Sequence, residues 1–596
     1  MFLRVHCRLK DGKEHRYWSI VENHRTAEGR VVQRQVLYLG EINDSQKQNW
    51  CRTIEVLEEG GERARQVALF PEDRAVKQTE LEIIQVRLSE LELHRPRQWG
   101  ACWLASVLWE QLKLDQFWAG RLRPSREGTR WLNVFKTLVS YRLIDPGSEW
   151  RLHRQWYLDT AMGDLLGEDL GLVQIDKLYR CLDKLVVHKA ALFSALRERW
   201  QDLFGARYEV LLYDLTSTYF ECDPPPSGKR RFGYSRDKRS DCVQVVIALV
   251  VTPEGFPLAY EVMEGNTSDK TTLAGFLRKI EQQYGQAERL WIMDRGIPTE
   301  EVLEAMRTSA TPVSYLVGTP RGRLHKMEKV FADLPWEQAR ESVEVKLLPQ
   351  TGELYILARS RGRMAKERSI RQRRLKQLWR RLAELQRQRL TRDELLLKLG
   401  AAKTQAGTAY RLVEIRLPAK SEPVTPETFL YALRKDKLRE ARRREGHYLL
   451  RSNLCGENPA VLWQHYIQLT QIEQVFKTLK GDLSIRPIYH QKDSRMEAHI
   501  FVAFQAYCLQ ITLQQRLKAL APGLTPREVL MKLAGLQMVD VHLPTTDRRT
   551  LILSRYTQPN QDQALLLKQL RLTLPDQPIP KITQSVPVTG SKPLRL

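Results

Sequence analysis

The chain has 596 residues, 42% of them apolar, with 95 Lys+Arg against 71 Asp+Glu and a formal net charge of +24. That length calls for about three or four folding units, and the charge excess points to a polyanion, nucleic acid being the usual one. Eight cysteines without a C-x-x-C pair argue against a zinc site or a disulfide scaffold. No uncharged run approaches the roughly 20 residues of a membrane helix, so a cytoplasmic protein, nucleoid-associated when bound to DNA, is expected.

Residues 2–9, 14–22 and 31–39 are β-rich runs punctuated by Asp11-Gly12 and Glu28-Gly29, which predicts a small antiparallel meander within 1–43. Its basic residues, among them Arg4, Arg8, Arg16 and Arg34, suit a phosphate-facing surface and a structural cap equally well. Residues 44–203 read as helical, with apolar residues at helical spacing through Trp103–Leu112, Trp131–Leu143 and Leu178–Leu203. Short helices with tight turns suit a helix-turn-helix-like unit that binds DNA ends, or a helical interaction domain.

From Tyr208 the pattern becomes α/β. Val210–Tyr213 is an apolar run too short for a helix and predicts a buried strand with Asp214 at its end. A carboxylate there costs several kcal/mol unless it is paired or bound to a metal. Cys242–Val251 and Pro257–Met263 predict the second and third strands, and an N-cap at Ser268 or Asp269 predicts a helix over Lys270–Tyr284. Arg289–Asp294 reads as a fourth strand, Thr299–Met306 as a helix and Val313–Gly318 as a fifth strand. Three antiparallel strands, then helix, strand, helix, strand, is the order of an RNase H-like domain over 204–319. In that order the first and fourth strands are neighbours, which brings Asp214 and Asp294 together.

Residues 320–455 carry strands of their own (Val343–Leu348, Leu354–Ala358, Tyr410–Leu417, Phe429–Ala432, Tyr448–Leu450) and a long basic helix over 361–389. Leu375, Leu378, Leu382 and Leu385 form its apolar stripe, while Arg371, Arg374, Lys376 and Arg380 are expected to contact DNA phosphates. A helix over 459–481 carries Tyr466, Glu473 and Lys480 seven apart, nearly at one azimuth, with Lys477 one turn from Glu473. Arg495–Leu517 reads as a helix apolar on one face, and Pro526–Leu536 as a helix capped by Thr525. Met538–Leu543 is strand-like, and the tail after Leu574 is rich in Pro, Thr and Lys. Asp214, Asp294 and Glu473 together could hold two divalent ions about 3.5–4 Å apart. Oxygen ligands without His or Cys favour Mg²⁺, with Mn²⁺ as a substitute, over zinc.

These motifs form a recognisable set: YDLTSTYF with Asp214, GYSRDKRSDC (233–242), EGNTSDKTTL (264–273) and WIMDRGI with Asp294. Y-x₂-L-x₂-I-E-x₂-F-K-x₂-L-K at 466–480 and RPIYHQKDSRMEAHIFVAF (486–504) complete it. Over about 208–510, and in its β-rich start, the chain resembles the DDE-type transposases of bacterial insertion sequences, in the IS-four superfamily with its Tyr-Arg-Glu-Lys signature. One position departs: Leu469 stands where the signature has Arg.

The resemblance implies an α/β fold: an RNase H-like catalytic core in two parts, 204–319 and 456–520, interrupted by a mixed β/α insertion domain at 320–455. The meander and the helical DNA-binding region precede it, and 521–596 is expected as a C-terminal helical region and mobile tail. The resemblance further implies cutting at terminal inverted repeats and joining of the ends to target DNA. Double-stranded DNA is then the partner, and a homodimer is expected in the complex. Asp214, Asp294 and Glu473 are implied as catalytic metal ligands, with Tyr466, Lys480 and Lys477 positioning the terminal phosphate. A non-catalytic DNA-binding protein and a stand-alone RNase H-like nuclease are the alternatives. Three intact carboxylates argue against the first, and the insertion and N-terminal helical unit against the second.

Overall fold

The computed structural model describes residues 2–10, 13–25, 31–40, 86–268, 272–285, 287–294, 296–309 and 313–319, and 323–583 apart from positions 324–326, 328–329, 421 and 547–548. The turn residues Asp11-Gly12 and Glu28-Gly29, the first part of the expected helical region (44–85), the alternative N-cap Asp269 and the tail from 584 lie outside the described residues.

The first three strands, β1 (Phe2–Lys10), β2 (Lys13–Arg25) and β3 (Val31–Gly40), form the expected antiparallel meander. After β4 (Glu92–Gln98) come the helices Gly100–Gln111, Trp131–Ile144, Ile175–Leu182 and Lys189–Phe204. The expected run over Leu178–Leu203 is thus two helices. Residues 134–143 are buried without a break, so the helix Trp131–Ile144 presents no face that could enter a DNA groove. The helix-turn-helix-like expectation does not hold for it, because its Trp, Phe and Leu residues fill a core shared with the rest of the chain.

β5 (Val210–Phe220), β6 (Val243–Val251), β7 (Pro257–Glu264), β8 (Leu290–Met293) and β9 (Ser314–Gly318) build the large sheet in the order β9-β8-β5-β6-β7. β6 is buried at every position, as a continuous apolar run requires of a central strand. β8 runs parallel to β5 and beside it, with Tyr213 opposite Met293. Side chains alternate across the sheet. Leu211, Tyr213 and Leu215 pack on one face, while Leu212 and Ile292 pack on the other with the C-terminal helices. Asp214 shares the parity of Leu212.

The sheet does not stop at β9. β10 (Glu337–Arg340), β11 (Val343–Gln350) and β12 (Glu353–Ser360) extend it, joined to β9 through β15 (His447–Ser452). The segment expected as a separate insertion therefore contributes four strands to the main sheet. Buried Glu353 fastens this extension: it accepts from Arg451 Nε of β15 at 2.8 Å, and Arg451 Nη1 reaches Glu300 at 2.7 Å. Only the stretch between β12 and β15 stands apart. It contains the helices Arg361–Arg387, Arg392–Ala406 and Lys435–Arg444, and the small pair β13 (Val413–Arg416) and β14 (Leu430–Leu433). Its own core gathers Leu378, Leu382 and Leu385 of the expected apolar stripe against Leu395, Leu399 and Phe429.

The helix expected over 459–481 is two helices, Pro459–Ile467 and Leu469–Lys480, meeting at Gln468. The helix Asp493–Leu520 is buried from 498 to 513 without a break, not on one face. It is the axis of the molecule. Trp200 Nε1 donates to its Thr512 at 3.0 Å, Tyr507 donates to Gly255 O at 2.8 Å, and Phe504 stacks on Tyr260 at 4.0 Å. A capping box at Thr525 and Glu528 starts the helix Pro526–Leu533 as expected. The C-terminal region then supplies β16 (Gln537–Pro544), β17 (Thr550–Tyr556) and β18 (Lys581–Thr583), which join β4 in a second sheet ordered β18-β17-β16-β4. The strand expected at Met538–Leu543 is β16, but the expectation of a helical region with a tail missed β17, β18 and the edge partner β4 more than 400 residues earlier. Among the described residues no helix is long and apolar enough to cross a membrane.

Candidate active site

Asp214 lies within β5, not at its end: the strand continues to Phe220 along β6. What ends at Asp214 is the parallel pairing, because β8 stops at Met293. Asp294 follows immediately and is exposed, so the two aspartates directly follow the paired residues Tyr213 and Met293. Asp214 Oδ1 accepts from the Leu215 amide at 2.8 Å. The helix Leu469–Lys480 packs Leu469, Ile472, Val475, Phe476 and Leu479 into the core on the Leu212 face. That leaves Glu473 exposed at the mouth.

The three carboxylates line one cavity of about 420 Å³ with Tyr466, Leu469, Thr319, Tyr448, His447, Arg363 and Lys366. Despite its exposure, the Glu473 carboxyl is raised above the ordinary range by desolvation and by the like charge of Asp294, with Lys366 opposing. The three oxygen donor groups and the repulsion between Glu473 and Asp294 fit a hard divalent cation. Asp294→Asn removes the like charge and should lower the Glu473 pKa. A ¹³C-carboxyl titration that finds it unchanged would show that the two groups do not meet.

The other expected residues divide. Tyr466, on the preceding helix, still reaches the cavity, its ring 5.8 Å from Tyr448 and 6.0 Å from Trp463. Lys477 is exposed on the helix that carries Glu473 and is not among the lining residues. Lys480 does not reach the cavity: its Nζ lies 2.7 Å from Oδ1 of buried Asp237, which Arg486 also contacts. Burial lowers the Lys480 pKa, and Asp237 pulls the other way. In the long basic helix Arg374, Lys376 and Arg380 are exposed. Arg371 turns inward to Glu445, at 2.5 Å, with its side chain only 11% exposed.

Sequence reasoning missed Arg363, Lys366, His447, Tyr448 and Thr319. Nothing local marks them: β9, β15 and the start of the helix Arg361–Arg387 bring them in from three segments.

Among the described residues, the one His/Cys/Asp/Glu group whose ligand atoms all lie within 4.8 Å of one another is elsewhere, at Glu149, His490 and His499. There His490 Nε2 lies 3.2 Å and His499 Nδ1 3.8 Å from Glu149 Oε1. Arg142 Nη2 is 3.5 Å from His499 Nδ1. Burial favours protonation of Glu149, but the two imidazoles outweigh it and hold its pKa well below the ordinary range, while burial pushes His499 down to about 4. The buried Arg142 cation already balances Glu149, so this group reads as a structural network that ties residues 142–149 to the axial helix.

The model of the transposase DDE domain family matches residues 206–509, and that of the IS1634 family transposase N-terminal domain matches 3–68. No curated protein sequence matches the chain. Among solved structures, a piggyBac transposase in a synaptic complex with hairpin DNA is similar at a TM-score of 0.37 and 8% identity, covering 72% of this chain and 79% of that one. That likeness is too distant to bear on function. The DDE-domain match spans more than half of the chain and contains all three carboxylates, and the chain belongs to the DDE-domain transposase family.

Proposed function

We propose that this DNA transposase cuts the ends of an insertion sequence at Asp214, Asp294 and Glu473 and joins them to target DNA. The observation that carries the reading is the meeting of three carboxylates, from β5, the end of β8 and the helix Leu469–Lys480, in one cavity. In this reading residues 204–319 and 456–520 are an RNase H-like core, and 320–455 is inserted between its parts while lending β10, β11, β12 and β15 to the same sheet. Residues 1–43, 44–203 and 521–596 are accessory regions. A homodimer engages the terminal inverted repeats.

Two Mg²⁺ or Mn²⁺ ions held by the three carboxylates would activate the attacking oxygen and stabilise the leaving one in an in-line displacement at phosphorus. Asp214 beside the paired strands β5 and β8, Asp294 just after β8 and Glu473 on a helix packed against that sheet face line one cavity, which supports this reading. Tyr466 offers a phenol to the phosphate at the mouth, and Lys477 a flanking charge. Lys480 can serve a phosphate only by exchanging Asp237 for it. Divalent-metal-dependent cutting of a duplex carrying the DNA that flanks the gene, abolished by a chelator, tests the reading. A parent protein that binds this DNA and never cuts it would favour a DNA-binding module.

Arg374, Lys376 and Arg380 are the phosphate-binding cations proposed on the basic helix, with Arg371 left out because Glu445 holds it. Their joint change to Gln should weaken end binding and flatten the dependence of log K on log salt by about 0.9 for each phosphate no longer neutralised. Fluorescence anisotropy across a salt series measures this. An unchanged slope would make that face a merely solvated one.

A further inference from the structure

Among the described residues, two Lys or Arg side chains line the carboxylate cavity, both from the first two turns of the helix Arg361–Arg387. They are in different situations. Arg363 Nε donates to Glu367 at 2.9 Å, and its guanidinium lies 4.0 Å over the Tyr448 ring. Arg363 is thereby committed to holding the helix against β15. Lys366 is exposed at the cavity. Its backbone is nonetheless fixed, because the next residue, Glu367, accepts from the Gly446 amide at 2.9 Å.

The helix that carries Glu473 supplies no cation to the cavity. Leu469, one turn before Glu473, lines it and is buried, Lys477 is not among the lining residues, and Lys480 is paired with Asp237. A phosphodiester that approaches three carboxylates meets like charge, and a positioned cation at the mouth is the usual remedy.

We propose that Lys366 holds a non-bridging oxygen of the scissile phosphate against Asp214, Asp294 and Glu473, supplying from the insertion the cation that Leu469 does not. Lys366 donates hydrogen bonds and transfers no proton, so the displacement at phosphorus is otherwise as described. The proposal rests on the reading of the three carboxylates as the cutting site.

The test is single-turnover cleavage in Mg²⁺ at saturating end DNA, beside anisotropy binding and thermal unfolding, for the parent, Lys366→Met and Lys366→Arg. Lys366→Met should cut about 100-fold more slowly, with end affinity within about threefold, as expected when a single phosphate loses its cation, and an unchanged melting midpoint. Lys366→Arg should recover most of the rate. A Lys366→Met protein that cuts at the parent rate overturns the proposal. So does a loss of rate that follows a loss of affinity, or one that Arg fails to rescue, since these mark a general DNA-binding or a structural role. A parent that does not cut in Mg²⁺ or Mn²⁺ overturns the carboxylate reading itself, and the proposal with it.

Discussion

Asp214→Asn, Asp294→Asn and Glu473→Gln should each lower end cleavage by about three orders of magnitude or more, because ligands of one metal site act as a unit and their effects do not add. Each change keeps the shape of the side chain and removes one negative charge from a cavity that receives a phosphate in the proposed reading. Binding to the same DNA should therefore persist or tighten. Thermal unfolding should move little: Glu473 and Asp294 are exposed, and removing one of two repelling carboxylates relieves strain between them. Cleavage and gel shift on one labelled duplex, in Mg²⁺, separate the outcomes. Should Glu473→Gln cut as well as the parent, the third carboxylate is wrongly assigned, and the place to look is another acidic residue near Asp214 and the end of β8. Loss of cleavage together with binding would instead point to damage to the fold.

The largest expected effect on stability lies far from this site, at Arg97. Its side chain is 1% exposed; Nη1 and Nη2 donate to Asp540 at 2.9 and 3.0 Å, Nε to Asp164 at 2.9 Å, and Nη1 also to Arg95 O at 2.8 Å. Ser554 donates to Asp540 at 2.7 Å. One guanidinium thus joins β4, the helical region and β16. Burial works against the charge on Arg97, but the two carboxylates outweigh it and raise the pKa. Arg97→Met would leave Asp540, 8% exposed, without its main counter-charge, a change worth about 3–5 kcal/mol. Adding Asp540→Asn should restore part of this, since the stranded charge and not the missing pair accounts for most of the penalty. Urea unfolding of the parent, the single variant and the double variant measures it. A single-variant loss below about 1 kcal/mol would mean that Arg95, 3.6 Å from Asp540, takes over the pairing.

The acidic residues of the candidate site are legible in the sequence because each sits in a strong local pattern. Apolar runs precede Asp214 and Asp294, and a helix of clear periodicity carries Glu473. The neighbourhood of β5 and β8 followed from the order of elements, since few topologies accommodate that order. Tyr466 reached the cavity although the helix that was to carry it together with Glu473 is broken at Gln468.

What the sequence left undecided was decided by long-range packing. Lys480 and Arg371 look like free cations in a row of cations, yet Asp237 and Glu445 claim them from 243 and 74 residues away. The basic composition of the helix Arg361–Arg387 shows where charge is, but only its seat beside β15 shows that its first two turns overlook the carboxylates. The C-terminal sheet follows the same rule: Met538–Leu543 is readable as a strand, but its partner β4 is not, with Arg97 and Asp540 443 residues apart. Periodicity and apolar content are local and determine which segments are helices and strands. Which side chains are left facing substrate depends on the partners that tertiary contact assigns, and no local pattern carries that information.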